Sequence, residues 1–261
     1  MQAAPCAVWL AAFVACSVGL GPVGLSGCSD APRAAEISIE TSPSDAVFPA
    51  VWRKAPILAT GRELPPEALE RGRAAVKRAL AKYPPEIVRE NLRNVWLLRD
   101  LQYYGIFAAG TNSATQVYIN IGEEAAGYTP AFIEGVFHAE FSSILLRNKP
   151  HALDREAWRE ANPPGFEYTG SGVGAIRAGQ AGQTPRDELM ADGFFGEYTR
   201  SNLENDFNRY SLMLFRGEVL LWEAAARYPR IQRKLELTLA FYESLSPELT
   251  RKRFRSFAEH Q

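Results

Sequence analysis

Glu140 is the residue of this 261-residue chain whose surroundings most need a chemical explanation. The stretch Phe132 to Leu146 reads FIEGVFHAEFSSILL. At about 100° per residue, Phe132, Ile133, Val136, Phe137, Phe141 and Ile144 share one broad helical face, and Glu140 projects from its middle. A buried, ionised carboxylate without a partner is costly, so it is paired with a cation, ligates a metal, takes up a proton or does chemistry. An interhelical ion pair with one of the chain's arginines is the structural alternative. The chemical alternative lies in the neighbours. In His-Glu-x-x-His helices two histidines one turn apart point at one zinc ion, and the glutamate after the first activates the bound water. On that spacing the two ligand positions here are Ala139 and Ser143. An alanine methyl has no donor, and a neutral hydroxyl is a poor zinc ligand beside imidazole, thiolate or carboxylate. His138 lies about 160° around the helix from Glu140, so the two converge on one ion only if the helix is distorted. It is expected on the polar side, solvated or hydrogen-bonded.

The run Phe137-His138-Ala139-Glu140-Phe141-Ser142-Ser143-Ile144-Leu145 resembles the His-His-Glu-Phe-x-His-Ile-Leu helix of the zinc-binding metallopeptidase lipoproteins of bacterial envelopes, a zincin-like family. A second block, Asp192 to Tyr198 leading into Glu204 to Tyr210, is similar to the family's Glu-Asp-Phe-Ala-Glu-Tyr element, which brings a third, acidic ligand from a later helix. The matches span roughly residues 93 to 245. The resemblance implies a zincin-like fold and peptide hydrolysis at zinc, with Glu140 as general base. The chain departs from that pattern at the ligands: Ala139 and Ser143 stand in place of the two histidines, and Asn205 and Arg209 in place of the two glutamates of the second block. What remains is a degenerate donor set of His138, Glu204 and Asp206, with Glu197 and His151 as further candidates. No cofactor is expected unless such a set holds zinc. Arg209, replacing an acid, is the expected ion-pair partner of Glu140.

The N-terminus points to the cell envelope. Ala7 to Leu20 is an apolar run too short for a comfortable membrane span, with the profile of a secretory signal. It ends in Leu25-Ser26-Gly27-Cys28, which looks like the lipobox in which the cysteine thiol is acylated and becomes residue one. No Lys or Arg precedes Arg33, so the positive charge of the leader comes from the Met1 amine alone. The other cysteines, Cys6 and Cys16, lie in the leader, so a mature chain anchored through Cys28 has no disulfide, catalytic thiolate or thiolate metal site. The expected division is 1–27 signal peptide, 28–60 lipidated N-terminus and tether, and 61–261 a single metallopeptidase-like domain. A net charge of −1 without a dense basic run argues against a nucleic-acid partner.

The elements that must position Glu140 are of α+β class. Glu36 to Glu40 alternates as one short strand. Leu69, Ala75, Val76, Ala79 and Leu80 have helical spacing until Tyr83-Pro84-Pro85 ends them. Val95 to Leu98, Gly105 to Ala108 and Thr115 to Ile121 then read as strands. Helix, small mixed sheet, motif-bearing helix and a mainly helical C-terminal half suit a zincin-like layering, with the sheet's edge strand as the place for a peptide to dock. Asn148 to Gln183, rich in Gly and Pro, is expected as a long loop over the cleft. Its Gly170-Ser-Gly-Val-Gly174 run lacks the following Gly-Lys-Ser/Thr of a phosphate loop. Two helices close the chain, one lined by Leu203, Phe207, Tyr210, Leu214 and Leu221, the next by Ile231, Leu235, Leu239 and Tyr242. Ser142 and Ser143 lack the Gly-x-Ser-x-Gly elbow of a serine hydrolase. Two functions stay open: an envelope lipoprotein that has lost zinc and binds a peptide or protein partner in the inherited cleft, or a metal-dependent peptide hydrolase with Glu140 as base and a non-standard ligand set.

Overall fold

The computed structural model describes residues 37–259. Cys28 and the leader lie outside the described residues. In chain order the regular elements are β1 (Ser38–Glu40), β2 (Thr60–Arg62), α1 (Pro66–Leu80), α2 (Pro85–Asn91), β3 (Asn94–Tyr103), β4 (Ile106–Phe107), β5 (Gly110–Asn112), β6 (Gln116–Asn120), α3 (Pro130–Asn148), α4 (Arg155–Glu160), α5 (Gly172–Arg177), α6 (Asp187–Ala191), α7 (Leu203–Arg216), α8 (Val219–Arg227), α9 (Pro229–Leu245) and α10 (Arg251–Glu259). The fold is mixed α/β, a small mixed sheet beside a helix-rich remainder. Among the described residues no helix is long and apolar enough to cross a membrane.

The sheet order is β1-β3-β6-β5. The first three run parallel, β5 closes the row antiparallel to β6, and β2 and β4 flank the far end of β3. Strand alternation divides the side chains between two cores. Val95, Leu97, Val117 and Ile119 face the large core with α1 and α3. Leu98, Leu101, Tyr103 and Tyr118 face a smaller one roofed by Phe48, Trp52 and Ile57. So the stretch expected as a tether enters the globule from Ile37 onward: β1 pairs with β3, and Phe48 and Trp52 are buried.

Helix α3 runs under the sheet. Thr129 caps it by accepting from the Phe132 amide at 3.2 Å, and Pro130 occupies its first turn, where a missing N–H costs nothing. The expected single apolar face is corrected here. Phe132, Ile133 and every residue from Gly135 to Leu146 are buried, because α1, the sheet and α7 surround the helix. His138 is therefore not on a polar side. The C-terminal half also differs from expectation. Gly217, at φ 67°, ends α7 with a left-handed turn, so Leu221 belongs to the separate helix α8. The Gly-rich loop contains α4 and α5, and Ser171 of the Gly-Ser-Gly run caps α5 by accepting from Gly174 N at 3.0 Å.

Candidate functional site

Glu140 sits midway along α3 beneath β5, fully buried. Strand β5 comes so close that a Cβ on Gly110 would lie 2.6 Å from Val136 Cγ1 and 2.9 Å from Glu140 Oε1. Only glycine permits that approach without displacing the helix or the strand. Two residues on, on the same side of the strand, Asn112 donates its side-chain amide to Glu140 Oε2 at 2.6 Å. The other oxygen, Oε1, is buried with no partner. Burial is the main reason the Glu140 carboxyl is pushed up to about 8; the Asn112 hydrogen bond pulls it back, the charge of Glu204 adds to the rise and that of Arg147 opposes it. At neutral pH the group is mostly protonated, a hydrogen-bond donor rather than a base.

The expected pair between Glu140 and Arg209 does not form. Both side chains line one cavity, but the charges that act on Arg209 are Glu218 and Arg216, and its Nε is unpaired. Glu140 is instead the inner end of a polar chain: Asn112 holds Glu140, Arg147 donates to the Asn112 side-chain oxygen, and Arg147 is ion-paired to Glu204 at 2.6 Å.

That chain also accounts for Glu204 as a metal-donor candidate, since its carboxylate is committed to Arg147. Asp206 points elsewhere. It is fully buried, and its Oδ2 takes Lys234 Nζ at 2.7 Å, Tyr168 Oη at 2.8 Å and Trp158 Nε1 at 3.0 Å. Burial pushes Asp206 up and Lys234 down, and each partner's charge works against that. His138 is on another face of α3, sharing a 2.9 Å hydrogen bond with Tyr83 and stacked on Phe215 with ring centres 5.0 Å apart. Burial holds its imidazole well below the usual histidine range, helped by the charges of Lys82 and Arg216. Glu197 is paired with Arg186 at the surface, and His151 is exposed beyond the end of α3. The candidate donors are thus not brought together.

The positions that would carry the two histidines are filled by packing. Ala139 lines the cavity. The Asn208 side chain bridges the next two serines, its Nδ2 donating to Ser143 Oγ and its Oδ1 facing Ser142 Oγ, both at 2.7 Å. A zinc ion of the His-Glu-x-x-His kind does not fit these residues: one position has no donor, and the other's hydroxyl is engaged. Among the described residues no three His, Cys, Asp or Glu side chains group so as to hold a metal.

No protein-family model matches the chain, and no curated protein matches it. A solved structure described as a putative zinc-binding metallo-peptidase from Bacteroides caccae aligns over 85% of this chain and 87% of its own, at a TM-score of 0.48 and 12% identity. At those values zinc and peptidase activity stay with that protein.

The cavity itself measures about 40 Å³, room for about three or four water molecules at about 10–15 Å³ of this space each. Its walls are mostly apolar, from Ala109, Val136, Ala139 and Leu212. Three of the residues that line it carry a buried oxygen without a partner: Glu140 Oε1, Asn205 Oδ1 and Tyr198 Oη. Tyr198 is held up by burial and by the charge of Glu140. Gln183 closes one side, on a stretch latched by Tyr198 N to Gly182 O at 3.1 Å. Strand β5 ends the sheet, as the docking expectation requires, yet all three of its residues are buried. Sequence reasoning missed Asn112 and gave Tyr198 no role. Neither a lone amide in a Gly-Thr-Asn run nor a tyrosine within an aromatic block announces itself.

Proposed function

We propose that this chain is a lipid-anchored bacterial envelope protein that uses a zincin-like, metallopeptidase-like fold to bind a peptide or protein partner rather than to hydrolyse one. The observation that carries the reading is the occupation of the catalytic positions: Ala139 offers no donor, Ser143 is engaged by Asn208, and Glu140 is kept neutral by burial and held by Asn112. A base that is protonated at neutral pH, without donors to place a metal beside it, is not set up to activate water. Access for a partner runs along β5 and requires the stretch around Gln183 to give way.

The test is elemental analysis of the chain from residue 29, with unfolding followed with and without a chelator. Less than one-tenth of a zinc per chain, on the order expected of contamination, and an unchanged melting temperature are expected, since a bound ion would stabilise the fold by mass action. One zinc per chain, with hydrolysis of a peptide library, overturns the proposal in favour of a hydrolase with Glu140 as base. Anchoring is checked separately. Cys28→Ala should release the protein from the membrane fraction, because acyl chains contribute about 0.8 kcal/mol per buried methylene. Retention of the variant after a high-salt wash would remove the lipid anchor from the reading.

A further inference from the structure

A second concavity, of about 540 Å³, lies where β1, the end of α1, the start of α2 and the segment from Glu248 into α10 meet. Its size falls within the range of small-molecule sites, roughly 300–1,000 Å³. Ile37, Ile39, Leu80, Tyr83, Pro84 and Val88 make its walls apolar. Four charged residues stand on its rim. Arg253 is partly neutralised by Glu248 at 3.7 Å and donates to Lys82 O. Lys77 and Arg89 are exposed and have no ion-pair partner among the described residues. The rim therefore carries two uncompensated positive charges over an apolar trough.

We infer that this groove binds a single-tailed anionic amphiphile, a fatty-acid carboxylate, with the alkyl chain along the apolar walls and the head group at Lys77 and Arg89. Charge complementarity selects the head, and desolvation of the walls selects the tail. The walls argue against a peptide. The carbonyl of Ile39 on the edge strand is already taken by Arg73 Nε at 2.8 Å, and Pro84 and Pro85 have no N–H, so little backbone is left for strand addition. Nothing in the inference depends on the Glu140 site or on lipidation at Cys28.

The experiment is calorimetric titration of the chain from residue 29 with dodecanoate below its micellar concentration. That chain contains every residue of both hydrophobic cores, which run from Ile39 to Phe254 and from Phe48 to Val173. One saturable site per chain is expected. Shortening the ligand to octanoate should weaken binding about fourfold for each methylene that leaves the groove, and dodecyltrimethylammonium should not compete. Lys77→Glu with Arg89→Glu, both at exposed positions, should weaken dodecanoate at least tenfold while leaving the melting temperature in place. Leu80→Asp should also weaken dodecanoate at least tenfold without touching the rim, at some cost in melting temperature because Leu80 packs against the large core. Absence of saturable binding overturns the inference, as does binding that ignores chain length or survives both sets of variants unchanged.

Discussion

Among the described residues two carboxylates are fully buried, and they are treated in opposite ways. Asp206 receives a lysine ammonium, a tyrosine hydroxyl and an indole N–H on one oxygen, and the same ammonium also reaches Gly193 O at 3.0 Å and lies 3.9 Å above the Phe194 ring. Glu140 receives one amide. The first cluster ties α4, the 158–168 segment, the turn at Gly193, α7 and α9 together, and its charge is matched on the spot. The second has no cation in contact and faces a cavity, so its stable form at neutral pH is the protonated acid. Each leaves one oxygen buried without a partner, Asp206 Oδ1 and Glu140 Oε1; what separates them is the ammonium in contact with the first and the open space beside the second.

The sharpest way to break this contrast is to remove a partner from the charge-paired site. Asp206→Asn should cost about 3–5 kcal/mol in chemical unfolding, because Lys234 is left charged and buried. A loss below about 1 kcal/mol would show that the cluster tolerates an unpaired ammonium and that the contrast is false.

Glu140→Gln should act in the other direction, with a sign set by pH. Below the ordinary glutamate value of 4.5 both folded and unfolded chains hold the proton. Between there and about 8 the unfolded chain releases it while the folded one keeps it, so the stability associated with this group is lost as pH rises and is gone above that range. The glutamine variant should therefore be more stable at pH 8.5 by on the order of a few kcal/mol, and the decline of stability with rising pH should flatten. His138 works on the acid side. Its imidazole stays neutral when folded, so its contribution is present above the usual value of 6.5 and falls away as pH drops through the folded value. Melting curves of Glu140→Gln and His138→Gln across pH 5 to 9, a range chosen around those values, separate the arms.

A smaller effect is expected from Asn208→Ala, about 1–3 kcal/mol, since two buried serine hydroxyls lose the amide that bridges them. Smallest of all is the coupling between Glu140→Gln and Arg209→Met. Their effects on thermal unfolding should couple by no more than about 1 kcal/mol, because the two side chains share a cavity but no ion pair. A larger coupling would restore the ion pair.

Local rules brought α1, α3, β3 and β6 within reach of the sequence, because periodicity and caps act over a few residues. Thr129-Pro130 opens α3 as a capped start should, and Tyr83-Pro84-Pro85 stops what precedes α2. What escaped is what depends on distant neighbours. His138 was expected on a polar side, whereas the small residues Ala139, Ser142 and Ser143 let α7 approach and the whole circumference is buried. Gly110-Thr-Asn112 has the composition of a turn and becomes a strand only by pairing with β6. At Gly217 the repeat of Leu residues continued in register across the break, so two helices read as one. The position of Glu140 in an apolar helix was legible. Its partner was not, because Asn112 is brought to it from 28 residues earlier by sheet formation. Lys234, the counter-charge of Asp206, sits in a helix whose apolar stripe gives no sign that a lysine is fully buried beside it.

The Asn208 bridge also sets the terms on which a metal could be designed into this fold. One carboxamide spans the serines of α3 with two contacts of 2.7 Å and so fixes how far α7 stands from that helix. Writing histidine into 139 and 143 would supply imidazoles but no space: the second ring would meet the amide, and Glu140 would still be turned toward Asn112. A working centre would need positions 139, 143 and 208 changed together, with a new acid on α7, since each change alone brings strain or an unpaired polar group without affinity in return. To an engineer this is a ratchet, in which intermediate sequences are worse than either end.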